Sequence, residues 1–256
     1  MLKILKFIYS IWVVISFILL TFPTLIGYLL LKLVPYEKQI RGVYVLNRSL
    51  VFVWSVITGY RYKINGLENI DKDQTYVVVI NHVNAADMIA TAYGLRVPAK
   101  PLIKKELLLI PGLGQLFGLS CLPIDRSSKK ARNESKVRLL ADLHRKISIL
   151  IFPEGTRNRS KDPLLPFYDG AFELAIEAQV PVLPVVLINI RKINRVDTLL
   201  VQPGTLEITH LTPIITMGLS SGQLEELKQR TYDVMQQYLL RHDSFFNTQM
   251  KDSKVS

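Results

Sequence analysis

The stretch VVVINHVNAADMI, Val77 to Ile89, ends an apolar run abruptly in Asn81-His82, and Asp87 follows the histidine after four intervening residues. An imidazole at the end of a buried strand, with a carboxylate just downstream, has the parts of a general base. The carboxylate can hold one ring nitrogen, fix the tautomer and stabilise the imidazolium, leaving the other nitrogen to take a proton. The same spacing also fits a histidine that caps a helix beside a solvated aspartate, and the pair alone does not separate the two readings.

A second polar block, FPEGTRNRS from Phe152 to Ser160, also follows an apolar run. Gly155 lets the backbone approach a ligand closely. Thr156 offers a hydroxyl and Arg157 a bidentate fork suited to phosphate. A polar turn with a surface arginine would read the same way. Three further pieces are ambiguous singly: PIDR at Pro123 to Arg126, Lys104-Lys105 after a strand-like segment, and VPVLPV at Val180 to Val185. Cys121 lies beside Leu119 and Leu122 with no evident base partner, which argues against an acyl-enzyme nucleophile.

These groups need a scaffold, and the chain from Tyr62 onward alternates strand-like and helix-like segments. RYKING is a strand closed by a turn at Asn65-Gly66, and TYVVVIN, ISILIF, VPVLPVVLINI and GTLEITHL are buried or late strands. MIATAYGL predicts a helix ending near Gly94. Asn133 to Lys146 predicts a helix with Val137, Leu140, His144 and Ile147 on one face. Gly170 to Ala178 and Gln223 to Arg241 predict two more, the last with Leu224, Leu227, Thr231, Val234 and Tyr238 as its stripe. SSKKARNESK, Ser127 to Lys136, is a loop or a helix start. The alternation implies an α/β domain, in which reactive groups gather at the carboxyl ends of strands.

Ahead of that domain, Phe7 to Leu31 carries no charge, with Lys3 and Lys6 before it and Lys32 after it. At ~1.5 Å per residue it could cross a ~30 Å hydrocarbon core. It could also form a helical hairpin breaking near Thr21-Phe22-Pro23. Val43 to Tyr60 is a second apolar segment, readable as an interfacial helix or as an ordinary core helix. The organisation expected is a membrane-anchoring part at 1–60, a catalytic domain at 61–243 and a polar tail at 244–256. The net charge of +11 favours anionic partners such as a membrane surface or phosphorylated substrates. Nucleic acid is not expected, because the basic run Lys129 to Lys146 lacks interleaved aromatics. One cysteine excludes an intramolecular disulfide, and no Cys/His cluster has zinc spacing, so no metal is expected.

Taken in order, the blocks resemble the lysophospholipid acyltransferase family. Asn81, His82 and Asp87 match its Asn-His-x4-Asp signature, Asp125-Arg126 its second block, Phe152 to Arg157 its Phe-Pro-Glu-Gly-Thr-Arg, and Val180 to Val185 its proline-rich strand entry. The likeness runs from about Lys63 to Thr212. It implies the glycerolipid acyltransferase fold, an α/β domain with a central, mostly β sheet flanked by helices, behind an N-terminal hydrophobic helical membrane element. It implies transfer of a fatty acyl group from acyl-coenzyme A or acyl carrier protein, with no bound cofactor, to the hydroxyl of lysophosphatidic acid at the cytoplasmic face of a membrane. His82 would be the base and Asp87 its orienting partner. Glu154, Gly155, Thr156 and Arg157 would position the acceptor phosphate, with Arg126 and Lys104. Two departures stand out: Tyr168 where the family usually has lysine, and Asn158, a minor one, where serine is common. The first leaves open another lysophospholipid or a lyso-aminolipid as acceptor. An inactive, membrane-anchored lipid-binding protein would need a damaged His/Asp pair, and the pair is intact.

Overall fold

The computed structural model describes residues 2–84, 86–110, 113–125, 127–193 and 200–247. Two long helices come first, α1 (Leu2–Leu31) and α2 (Tyr36–Thr58). They are antiparallel: the Tyr9 hydroxyl donates to the Thr58 carbonyl, the Trp54 indole to the Val13 carbonyl, and Tyr28 to the Asn47 side chain. Gly27 and Gly42 let the helices close up, since a Cβ at either position would strike Leu46 or Leu31. Of the two readings of Phe7 to Leu31, the one with a break near Pro23 does not hold. Helix α1 runs through Pro23, and the chain reverses at 32–35, where Pro35 stands extended at the start of α2. Thr21 and Thr24 return their hydroxyls to the Phe17 and Leu20 carbonyls, so the polar side chains around the proline are satisfied inside the helix. Both helices are long and apolar enough to cross a bilayer. One face of α2 is buried, including Val43, Leu50 and Trp54, and the other exposes Val45, Phe52 and Val56.

The rest is an α/β domain. Its strands are β1 (Arg61–Asn65), β2 (Val77–Ile80), β3 (Ala99–Lys104), β4 (Leu122–Ile124), β5 (Ser148–Ile151), β6 (Val182–Ile188) and β7 (Thr205–His210). They form one seven-stranded sheet in the order β1-β7-β6-β2-β5-β3-β4. Every pairing is parallel except β6 with β7. Strand β2 is central, and all four of its residues are buried, as a parallel strand covered on both faces requires. Val77 and Val79 face a core made with α5 (Lys129–His144), α6 (Gly170–Ala178) and α8 (Leu224–His242). Val78 and Ile80 face the other way, toward Val13, Trp54 and Ala90 of α3 (Ala86–Gly94). Full burial of each such side chain contributes about 1.5–3 kcal/mol. Short helices α4 (Leu113–Ser120) and α7 (Ile190–Ile193) complete the domain.

The polar tail expected from residue 244 does not begin there. Phe246 is buried in the core shared with α8, and residues 248–256 lie outside those described. Residues 127–136 resolve to a helix start, with the Ser128 hydroxyl accepting from the Ala131 N–H.

Candidate active site

Val79 of β2 stands opposite both Ile151 of β5 and Pro184 of β6. The segments leaving β2 and β5 therefore run side by side at the carboxyl edge of the sheet. Asn81 fastens the first of them. Its side chain accepts from the Leu187 N–H at 2.8 Å and donates to the Leu187 carbonyl at 3.1 Å, as a strand partner would.

The next residue is the histidine. His82 Nδ1 lies 2.7 Å from Asp87 Oδ2, and the imidazole stacks on Phe152 at 4.2 Å between ring centroids. Asp87 sits in the first turn of α3, where the helix dipole favours an anion. The Asn84 side chain organises that turn by accepting from the Ala86 N–H. Asp87 Oδ2 also accepts from the backbone N–H groups of Val83 and Asn84, at 2.5 and 2.9 Å. Burial pushes the Asp87 carboxyl up, while His82 and the two N–H groups pull it back toward ionisation. The solvated aspartate of the bland reading is excluded, because Asp87 is fully buried. His82 Nδ1 is thus committed to Asp87. Nε2 has no hydrogen-bond partner among the described residues, and the side chain stays partly exposed.

Glu154 supports the histidine from beneath. Its Oε1 accepts from the His82 N–H at 2.8 Å and its Oε2 from the Leu165 N–H at 2.9 Å. Burial raises its carboxyl to about 7, opposed by those two N–H groups. The expectation that Glu154 helps bind phosphate is corrected here: the side chain is buried, both oxygens are occupied, and its charge has the phosphate's sign. Thr156 and Arg157 behave differently. Both are exposed, and neither side chain has a hydrogen bond or ion pair among the described residues. Gly155 has φ of 65°, a left-handed conformation, and a Cβ there would lie 2.7 Å from the ring of Tyr168. Tyr168 therefore stands over the Gly-Thr-Arg turn. Lys104 is exposed at the end of β3, on the same edge of the sheet. Its neighbour Lys105 pairs with Asp125 at 2.6 Å and holds that carboxyl below the usual range. Arg126 lies outside the described residues. Cys121 is buried with its thiol pushed up to about 11 by burial, unsuited to nucleophilic attack.

Two participants escaped sequence reasoning. Asn158, the departure read as minor, is buried. Its N–H donates to the His82 carbonyl at 2.7 Å, and its side chain bonds Ser160 and the Asp162 carbonyl. Arg191, in α7, donates to the carbonyls of Ser160 and Asn158. The signal available for Arg191 was akin to the one that singled out His82, a basic side chain two or three positions after an all-apolar strand.

A sequence model of the family described as Acyltransferase matches residues 61–188. The chain is 32% identical over 213 residues to an uncharacterised acyltransferase of Schizosaccharomyces pombe, covering 80% of this chain and 75% of that protein. It is 35% identical over 170 residues to a 1-acyl-sn-glycerol-3-phosphate acyltransferase of Salmonella typhimurium, covering 65% and 68%. Its fold matches the crystal structure of the 1-acyl-sn-glycerophosphate (LPA) acyltransferase PlsC from Thermotoga maritima with a TM-score of 0.77 at 22% identity, over 94% of this chain and 97% of that one.

Proposed function

The chain belongs to the acyltransferase family, and on that premise we propose that it transfers a fatty acyl group from an acyl thioester to the free hydroxyl of lysophosphatidic acid, giving phosphatidic acid. The relatives' names support the acceptor, and acyl-coenzyme A or acyl carrier protein is proposed to supply the thioester. The observation that carries the reading is the His82–Asp87 pair with Nε2 left open. Nε2 takes the proton of the acceptor hydroxyl as its oxygen attacks the thioester carbonyl. Asp87 stabilises the imidazolium so formed. The carbon–sulfur bond then breaks, and the departing thiolate takes the proton from Nε2, leaving ester, free thiol and neutral imidazole. A thioester is already activated, so the chemistry asks for a base and good placement.

Arg157 and Thr156 are free to meet the acceptor phosphate, with Lys104 as a further cation along the same edge; Arg126, of the Asp125-Arg126 block, is proposed as another from the sequence alone. An apolar cavity of about 120 Å3, lined by Val43, Leu50, Met88, Ile89, Leu95 and Phe117 among others, begins within a turn of Asp87 and suits hydrocarbon. Residues 1–60 anchor the protein to a membrane and 61–243 carry the reaction on its cytoplasmic face, which fits the free thiol of Cys121. Tyr168, placed over Gly155 where a cation would strengthen phosphate binding, favours a second reading in which the acceptor is another lysophospholipid or a lyso-aminolipid.

An acyl-transfer assay with lysophosphatidic acid, other lysophospholipids, a lyso-aminolipid and monoacylglycerol tests both readings. Lysophosphatidic acid should be the best acceptor. Arg157→Ala should lower its kcat/KM by about 10–100-fold, chiefly through KM, as expected for losing a charge-assisted bond. An equal loss with monoacylglycerol would remove the phosphate role from Arg157.

A further inference from the structure

Arg191 is half-buried just beyond the end of β6, outside residues 61–188 that the family model covers. Its guanidinium donates to the Ser160 carbonyl at 3.0 Å and to the Asn158 carbonyl at 3.4 Å. Its other face meets the C-terminal segment, 5.0 Å from the Phe245 ring centroid and 5.7 Å from that of Phe246. That segment is itself fastened to the end of β6. Asp243 accepts from the Asn189 N–H at 2.9 Å, and the Ser244 hydroxyl donates to the Asn189 side chain at 2.5 Å. The arginine therefore joins three parts of the chain: the end of β6, the loop carrying Thr156 and Arg157, and the segment after α8.

The loop it holds is the one that holds the histidine. The Asn158 N–H donates to the His82 carbonyl at 2.7 Å, while Glu154, from the same loop, accepts the His82 N–H. The main chain of the base is thus gripped on both sides by one segment, and two of that segment's carbonyls are fixed by Arg191. A fixed planar fork can hold two carbonyls at once, whereas a lysine ammonium is a point charge on a flexible stem.

We propose that Arg191, braced by Asp243 to Phe246, is the positioning residue that keeps the phosphate-facing loop and the base His82 in register. It touches neither substrate nor the reacting atoms. It acts through Asn158 and Ser160, and it supplies a positive charge beside two buried carboxylates. Glu154 and Asp87 both interact favourably with Arg191, as does Asp243. The charged and titratable groups facing Glu154 are Asp87, which raises its carboxyl, Arg191, which lowers it, His82, whose N–H it accepts, and Tyr232 of α8. Removing the guanidinium raises the Glu154 carboxyl further. Protonation weakens Glu154 as the acceptor of the His82 and Leu165 N–H groups, so the acid limb of activity moves to higher pH.

The inference rests on His82 being the base, so His82→Ala is measured beside Arg191→Met and Arg191→Lys in full-length protein. The readouts are kcat, acceptor KM, the pH profile and the melting temperature. Arg191→Met should lose about 10–100-fold in kcat, the scale of small misplacements in a site. Its acid limb should move up by about half a pH unit or more. Arg191→Lys should keep the limb in place and still lose kcat, because the charge survives and the fork does not. Wild-type kcat and an unmoved limb in both variants overturn the proposal. So does a loss in Arg191→Met that only follows the folded fraction. Should the Met variant fail to fold, Arg191→Lys decides alone: reduced kcat with an unmoved limb supports the role, and unchanged kcat refutes it. Retained turnover in His82→Ala is a separate failure, of the base assignment and not of the brace.

Discussion

Asp87 receives three donors on one oxygen, and its other oxygen, Oδ1, is buried with no partner among the described residues. An unpaired buried carboxylate oxygen is costly, and such groups are retained where they act. Among the described residues the His82 Nδ1–H is the one side-chain donor to Asp87, which ties the tautomer of His82 to this residue. Asp87→Asn should therefore keep the fold yet cut kcat strongly, because an amide can turn its NH2 toward Nδ1 and reverse the tautomer. His82→Ala should lose about 10²–10⁴ in rate, the usual contribution of a general base. The double variant should be little worse than His82→Ala, since the two act as a unit. His144→Ala is the control, exposed at the end of α5. A folded Asp87→Asn protein with wild-type turnover would break the link between carboxylate and base. At this scale the sequence exposes what chemistry needs in residue type and spacing, and His82 and Asp87 meet as their spacing suggests. It does not expose burial. Glu154 reads as a ligand-binding acid and is a buried acceptor of two N–H groups, and Arg191 finds its partners only once distant segments converge.

The elements were legible where their pattern is local. An unbroken apolar run makes β2 and β6, and a nearly apolar one, opened by Ser148, makes β5. Helix α5 shows where that logic ends. Val137 is apolar but exposed, while Leu139, Asp142 and Leu143 face inward. The burial of Asp142 depends on the Tyr36 hydroxyl, which donates to it from α2 and itself accepts from Lys100. No periodicity within α5 can report such a partner. In α8 likewise, the inward stripe is Leu227, Thr231, Met235 and Leu239, with Val234 turned out. The turn after β5 yields an element-scale prediction. Gly155 combines a left-handed φ with the Tyr168 ring above it. Gly155→Ala should cost about 1–2 kcal/mol from the backbone alone. The exposed ring of Tyr168 can move aside, so adding Tyr168→Ala should not restore the loss. Recovery of the melting temperature in the double variant would show the ring contact, and not the backbone, to be the cause.

Across the whole molecule, α1 and α2 have two kinds of surface that must be separated before the membrane reading can be tested. Their inner sides belong to the fold. Val13 and Trp54 lie in one core with Val78 and Ile80, the Val201 N–H donates to the Ser10 hydroxyl, and Tyr36 reaches Asp142. Their outer sides expose Phe7, Ile18, Leu19, Phe22 and Ile26 on α1 and Phe52 and Val56 on α2. So much contiguous apolar surface marks contact with a membrane or a partner. Deleting 1–31 confounds the two surfaces, because it opens the core as well as removing the proposed anchor; it should yield protein that melts lower or aggregates. The outward face can be changed alone. Leu19, Phe22 and Ile26 are 60%, 61% and 63% exposed and lie along one stripe of α1. Changing all three to glutamate should shift stability in detergent by less than about 1 kcal/mol, as for surface positions away from packed contacts. Flotation with anionic vesicles should fall sharply, because charge is costly in hydrocarbon. Turnover of detergent-dispersed lysophosphatidic acid should stay near wild type, since His82, Asp87 and Arg157 are untouched. Undiminished flotation of the triple variant would move membrane contact away from α1, and loss of turnover in detergent would mean that this face of the hairpin also shapes the site.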